Sequence, residues 1–449
     1  MIKLKDKILF DLSQKYNVAR FVSFGPNLDV RFSTEGSLFQ FGKIQLPDVV
    51  DKFLGSCGSL NIRTFTLSSP NGNPFIYGVT DRLKAIEYVL HFAEQGYYTI
   101  LNETISVHDG GVSGVVDRTV VEFSPDDTPR AVEKEGICAL PYQVASRVLS
   151  TVYGLTQPLP IEDGQRIEFS VHPRKVGCRN EQILIWEFSP SVLGKTPTII
   201  PSWPNNFSKL LGDKIFGLLV ADSYGIPVPF GTVVGRRVAP FSFGTHTNSK
   251  ETWIRTAPIV QQPGRFTTTS EWVDPYELMQ LEDPTNSMIQ ALIFQEGILA
   301  RYSGATLPGN QGVIIEGVMG KGDDFMAGTA SPNSLPQNIY NDVKDIAALA
   351  ETAIGCPVRI EWVHDGIRPW VVQLHVIPEA LSILKKNDFS TVNQWVIFNP
   401  IHGISELVET IKNVNPVTTG IKISGSIGIT SHIGDLLRKN KITFVIEPF

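Results

Sequence analysis

Short runs of β-branched and aromatic residues, closed by Gly, Asn, Asp or Pro, alternate along this chain with longer stretches whose apolar positions recur at three- and four-residue spacing. The short runs predict strands. In the first half these are Asn61-Ile62-Arg63-Thr64-Phe65, Ile100-Leu101-Asn102-Glu103, Val121-Glu122-Phe123 and Arg166-Ile167-Glu168-Phe169. In the second half they are Trp253-Ile254-Arg255-Thr256-Ala257, Ile293-Phe294-Gln295-Glu296, Ile315-Glu316-Gly317 and Arg359-Ile360-Glu361-Trp362. The longer stretches predict helices at Asp81 to Leu90 and at Tyr340 to Ala353, the latter closed by Gly355 as a C-cap.

The strands of the two halves match in the same order at an offset of about 190 residues, and Ser113-Gly114 answers Ser303-Gly304 within the series. Ordered matches of this kind point to an internal duplication, giving two related mixed-sheet units of α+β class. The expected boundaries are a first half over 1–190, a proline-rich linker over 191–208, a second half over 209–383 and a small α/β unit over 384–449.

Composition narrows the function classes. A chain of 449 residues is too long for one ordinary core. With 42% hydrophobic and 19% charged residues it is globular in composition and not disordered. A net charge of −6 argues against nucleic-acid binding driven by phosphate contacts. The cysteines Cys57, Cys138, Cys178 and Cys356 show no metal spacing and read as reduced thiols. MIKLKDKILF has no small-residue cleavage site, and no apolar run reaches the ~18 residues of a membrane span. A cytoplasmic protein without membrane or nucleic-acid partners is expected, its oligomeric state left open.

The second half resembles the ATP-grasp nucleotide-binding domain of the phosphoenolpyruvate synthase, pyruvate phosphate dikinase and rifampicin phosphotransferase family. The motifs appear in the family's order: Gly212-Asp213-Lys214, Gly225-Ile226-Pro227-Val228-Pro229-Phe230-Gly231, Arg255, Gln295-Glu296 followed by Ser303-Gly304, then Pro357-Val358-Arg359-Ile360-Glu361-Trp362 and Trp370-Val371-Val372-Gln373-Leu374-His375. Arg359 stands where the family usually has Asp, and His375 where it has Arg. The resemblance implies an ATP and Mg²⁺ site. A lysine and an arginine from different strands suit a triphosphate, and Mg²⁺ prefers oxygen donors such as Glu361 and Gln373. Residues two apart on a strand share a face, which groups Arg359 with Glu361 and Gln373 with His375. The segment Pro263-Gly264-Arg265-Phe266-Thr267-Thr268-Thr269 is a candidate lid over the phosphates.

Residues from about 394 onward resemble the family's swivelling phosphohistidine domain, above all Gly428-Ile429-Thr430-Ser431-His432 with Arg438 and Ile442 in register. Neutral imidazole is a good nucleophile near pH 7 and a good leaving group once phosphorylated. Ser431 or Thr430 is expected to cap the helix that follows. The first half keeps Arg63, Glu103 and Glu168 and adds Glu187, a possible second metal or nucleotide site in a degenerate copy that scaffolds or binds the acceptor.

The expected activity is therefore ATP-dependent phosphotransfer, with His432 as carrier, Lys214 and Arg255 as catalytic cations and an unidentified small molecule or protein as acceptor. The family's PEP/pyruvate barrel has no room in this length, so the rifampicin phosphotransferase style is expected. The alternatives are a nucleotide-binding regulator with altered catalysis, or an ATP-grasp ligase that acts without the histidine.

Overall fold

The computed structural model describes residues 4–35, 45–69, 73–129, 134–191, 203–259, 265–309, 312–377 and 392–447. The chain is α+β and divides into two compact units, one of Met1–Ile137 with Leu155–Pro197, the other of Cys138–Gly154 with Thr198–Phe449.

Unit 1 holds β1 (Phe21–Phe24), β2 (Val30–Ser33), β3 (Leu60–Phe65), β4 (Phe75–Val79) and β5 (Tyr98–Glu103), an antiparallel sheet in the order β2-β1-β5-β3-β4. The helices Leu46–Cys57 and Arg82–Glu94 bury Val49, Val50, Phe53, Ala85 and Val89 against Val22, Phe24, Leu60, Ile62 and Leu101. The helix expected from Asp81 starts as predicted, because the Asp81 side chain accepts the Lys84 N–H at 2.8 Å. A second sheet contains β6 (Val112–Asp117) and β7 (Val120–Pro125). After a segment of unit 2 that contains β8 (Cys138–Pro141), the chain returns to it with β9 (Gln165–Val176) and β10 (Glu181–Pro190), in the order β10-β9-β6-β7.

Unit 2 repeats this plan. Its first sheet is β11 (Gly231–Gly235), β12 (Phe241–Phe243), β13 (Thr252–Pro258), β14 (Thr268–Thr269) and β15 (Ile289–Glu296), in the order β12-β11-β15-β13-β14. Its second is β16 (Tyr302–Gly309), β17 (Gly312–Met319), β18 (Val358–His364) and β19 (Pro369–Val376), in the order β17-β16-β18-β19. The order of each sheet is that of its counterpart in unit 1, and register agrees to the residue. Arg63 lies opposite Ile100 as Arg255 lies opposite Ile293. Glu168 lies opposite Glu187 as Glu361 lies opposite Gln373. The repeated Ser-Gly has a steric cause: a Cβ on Gly114 would stand 2.0 Å from the Glu122 carbonyl oxygen, and one on Gly304 2.0 Å from that of Glu316.

The segment from 394 on forms a parallel sheet, β20 (Gln394–Phe398), β21 (Thr419–Ser424) and β22 (Phe444–Glu447), in the order β20-β21-β22. The helices Gly403–Lys412 and His432–Lys439 close a core of Phe398, Leu407, Ile421, Ile423, Ile433 and Leu437. Ile427 belongs to this core as well.

Boundaries shift from the expected ones. The helix Tyr142–Tyr153, assigned to the first half by position, groups with unit 2, where it meets the helix Asp213–Ser223. The end of the expected linker is helical: Asn205 and Ser208 form a reciprocal capping box that starts Asn206–Leu211 inside it. The rest of the linker, and the boundary near 384, lie largely outside the described residues. No helix among the described residues is long and apolar enough to cross a membrane.

Candidate active site

Two strand pairs of unit 2 and two helix starts converge on a cavity of about 370 Å³, lined by Lys214, Arg255, Arg359, Glu361, Gln373 and His432 among others. Each owes its place to a local feature. Lys214 sits in the first turn of Asp213–Ser223, whose Gly217 backbone lies so close to β19 that a Cβ there would stand 2.2 Å from the Leu374 oxygen. Arg255 rises from the centre of β13 and donates to the Val372 oxygen of β19 at 3.2 Å. Arg359 and Glu361 share a face of β18, and directly opposite them on β19 stand His375 and Gln373. His432 opens its helix, which Ser431 caps by accepting the Gly434 N–H at 3.4 Å.

The electrostatics follow from burial and crowding. Burial would raise the Glu361 carboxyl, but His432, Arg359, His375 and Arg255 together hold it below the usual carboxylate range. Arg359 Nη2 stands 3.8 Å from Glu361 Oε1, yet no hydrogen bond reaches that buried oxygen among the described residues. Lys214 is pushed down by burial and then by Arg255. Arg255 Nε is likewise buried without a hydrogen-bond partner among the described residues. Unsatisfied donors and a lone acceptor facing one cavity are what an anion with a bridging cation would satisfy. Burial lowers the His432 pKa, with Arg359 and Lys214 adding to it against Glu361 and Asp435, so the imidazole is neutral at pH 7. His375, hydrogen-bonded to Gln373, is lowered to about 3, first by burial and then by Arg359.

Arg359 explains its own departure from the related motif. It donates to the Thr430 oxygen at 2.8 Å and pairs with Asp435 Oδ2 at 3.5 Å, so it ties β18 to the segment that bears His432. Asp435, Lys439 and Asp323 also line the cavity and had escaped sequence reasoning. Asp435 and Lys439 bond each other at 3.0 Å one turn apart, a spacing visible in the sequence but ordinary for any helix. Asp323 left no signal.

Other expectations fare differently. Phe266 and Thr268 of the lid segment line the cavity, and Thr268 pairs with Arg255 across β13 and β14. Gly264 lies outside the described residues. Gln295 and Glu296 do not line the cavity. They lie at the far end of β15, opposite Trp253 and Thr252, while Arg255 is level with Ile293. The Glu296 carboxylate is spent on His246 at 2.6 Å and on the Thr247 N–H at 2.8 Å. In unit 1, Glu168 and Glu187 face one another in register, but Glu168 accepts from Arg166 at 2.8 Å. Glu103 is buried and accepts the Arg20 N–H at 2.9 Å, and Arg63 lies over the Phe75 ring.

No known protein family matches the chain. No protein of curated function matches it by sequence. Among solved structures it is similar to the D-alanine-D-alanine ligase from Coxiella burnetii, at 14% identity over 38% of this chain and 48% of that one, with a TM-score of 0.25. It is similar to the VanG D-Ala:D-Ser ligase from Enterococcus faecalis, at 14% over 38% and 53%, TM-score 0.26. A third is phosphoribosylglycinamide synthetase from Anaerococcus prevotii, at 14% over 38% and 44%, TM-score 0.23. The chain spans about half the length of these proteins. Likeness so slight carries no argument about activity.

Proposed function

We propose that this chain is an ATP-dependent phosphotransferase in which an ATP-grasp-like unit 2 binds the nucleotide and His432 carries the phosphoryl group to a separate acceptor. One observation carries the reading: the His432 imidazole lines the same cavity as Lys214, Arg255 and Arg359. The cations bind and orient the polyphosphate and offset charge that develops on its oxygens during transfer. The imidazole nitrogen attacks the β-phosphorus and the bond from it to the α,β-bridging oxygen breaks, releasing AMP. Water then cleaves off the γ-phosphoryl group as phosphate, and the acceptor later takes the remaining phosphoryl group from the phosphohistidine. Over the cycle ATP, water and acceptor give AMP, phosphate and phosphorylated acceptor.

A divalent cation fits the donors. Glu361 Oε1 lacks a hydrogen bond and Gln373, opposite it in register, turns its amide nitrogen to His375, leaving its carbonyl oxygen as a donor. No group of three or more His, Cys, Asp or Glu able to hold a metal occurs among the described residues. Mg²⁺ would therefore complete its shell with phosphate oxygens and neutralise part of their charge. The unit 1 copy is the proposed acceptor-binding or scaffolding half, on the strength of the shared strand order alone.

Lys214, Arg255 and Glu361 also make a phosphate cradle that needs no histidine, which keeps an ATP-grasp ligase as the second reading. Nucleotide products separate the two. With Mg²⁺, phosphotransfer predicts AMP and phosphate, abolished in His432→Ala. ADP that persists in His432→Ala identifies a ligase, and nucleotide binding without turnover identifies a regulator.

A further inference from the structure

Glu316, Ala305, Glu361 and Gln373 form one line across β17, β16, β18 and β19. Residues directly opposite one another share a face, so the two carboxylates rise from the same surface, two strands or roughly 9–10 Å apart. The small Ala305 between them leaves room above the sheet. Into it comes the loop that precedes His432. The Thr430 N–H and hydroxyl both donate to Glu316 Oε2, at 2.8 and 2.9 Å. Arg359 donates to the Thr430 oxygen at 2.8 Å. Every polar group of this fully buried threonine is thus held by the second sheet of unit 2. The fit is close: a Cβ on Gly428 would stand 2.4 Å from the Phe325 ring and 3.0 Å from Glu316 Oε2.

None of these bonds is needed to cap the helix His432–Lys439, which Ser431 does alone. Hydrogen bonds to an ionised partner are shorter and stronger than neutral ones and fix geometry. We propose that Glu316 and Arg359 clamp Thr430 and so hold the His432 imidazole at the cavity, with Glu316 as a positioning residue for phosphoryl capture. This rests on the phosphotransfer reading. Glu316 does not line the cavity, so its part is to place the nucleophile, where a misplacement of 1 Å costs on the order of 100-fold in rate.

Single-turnover labelling of His432 with β-labelled ATP and Mg²⁺ tests the proposal in Glu316→Ala and Glu316→Gln. In the alanine variant labelling slows at least about tenfold, while affinity for a non-hydrolysable ATP analogue stays within about twofold. The glutamine variant recovers most of the rate, because one oxygen accepts both Thr430 bonds. In hydrogen–deuterium exchange, amides from Thr430 to Gly434 exchange at least about tenfold faster in Glu316→Ala, near the wild-type rate in Glu316→Gln, and the helix Gln337–Ile354 keeps its protection. Unchanged labelling, unchanged exchange in this segment, or an equal loss of analogue affinity overturns the clamp. Should wild-type protein take no label, the phosphotransfer reading fails, and exchange alone then decides whether the clamp exists.

Discussion

Replacing His375 with glutamine isolates the cost of keeping a neutral imidazole among cations. In the folded chain its pKa is lowered to about 3 from the ordinary 6.5, by burial and then by Arg359. As pH falls below 6.5 the unfolded chain takes up a proton on this side chain and the folded chain does not, so stability falls with falling pH until about pH 3. Each pH unit in that interval costs about 1.4 kcal/mol. Between pH 7.5 and pH 5.0 this residue alone costs about 2 kcal/mol. Glutamine offers Gln373 an acceptor without a titrating group. His432, also lowered, contributes a slope of the same sign that survives in the variant. Urea unfolding at the two pH values, followed by tryptophan emission, reads the difference. Trp186 is the one tryptophan of unit 1, and the other six report on unit 2. Wild type is expected to lose about 2 kcal/mol more than the variant on acidification. Equal losses would refute the buried neutral histidine.

Further outcomes follow from the same geometry. Gly304→Ala places a Cβ against the Glu316 carbonyl oxygen and is expected to destabilise unit 2 by at least about 2 kcal/mol, read by thermal unfolding. Arg359→Leu leaves Glu361 and Asp435 without their shared cation, and a cost of about 3–5 kcal/mol is expected, much of it recovered when Asp435→Leu is added. Arg255→Met, which keeps volume and removes charge, is expected to weaken binding of a non-hydrolysable ATP analogue at least about tenfold in titration calorimetry.

Much of the fold was legible because the two halves carry the same strand signals in the same order. Strand matches that mean little singly fall at register-equivalent places, Arg63 with Arg255 and Glu168 with Glu361. The two-residue period of a strand was enough to put Arg359 beside Glu361 and Gln373 beside His375. What escaped was contact between segments far apart in sequence. Glu316 appeared only as a repeat match, and its bonds to Thr430 join residues that no local pattern connects. Gln295 and Glu296 stand away from the cavity, because a motif fixes order along the chain and not height along a strand. Arg359 read as a departure from a motif, and its carbonyl and carboxylate partners on the histidine segment give that departure a reason.

The central claim is a phosphoryl group on His432. The protein incubated with Mg²⁺ and β-labelled ATP, then digested under alkaline conditions, should yield one labelled peptide that contains His432, with label stable to base, lost in acid and absent from His432→Ala. Turnover of ATP with no label on that peptide under single-turnover sampling, and undiminished in His432→Ala, would contradict the account.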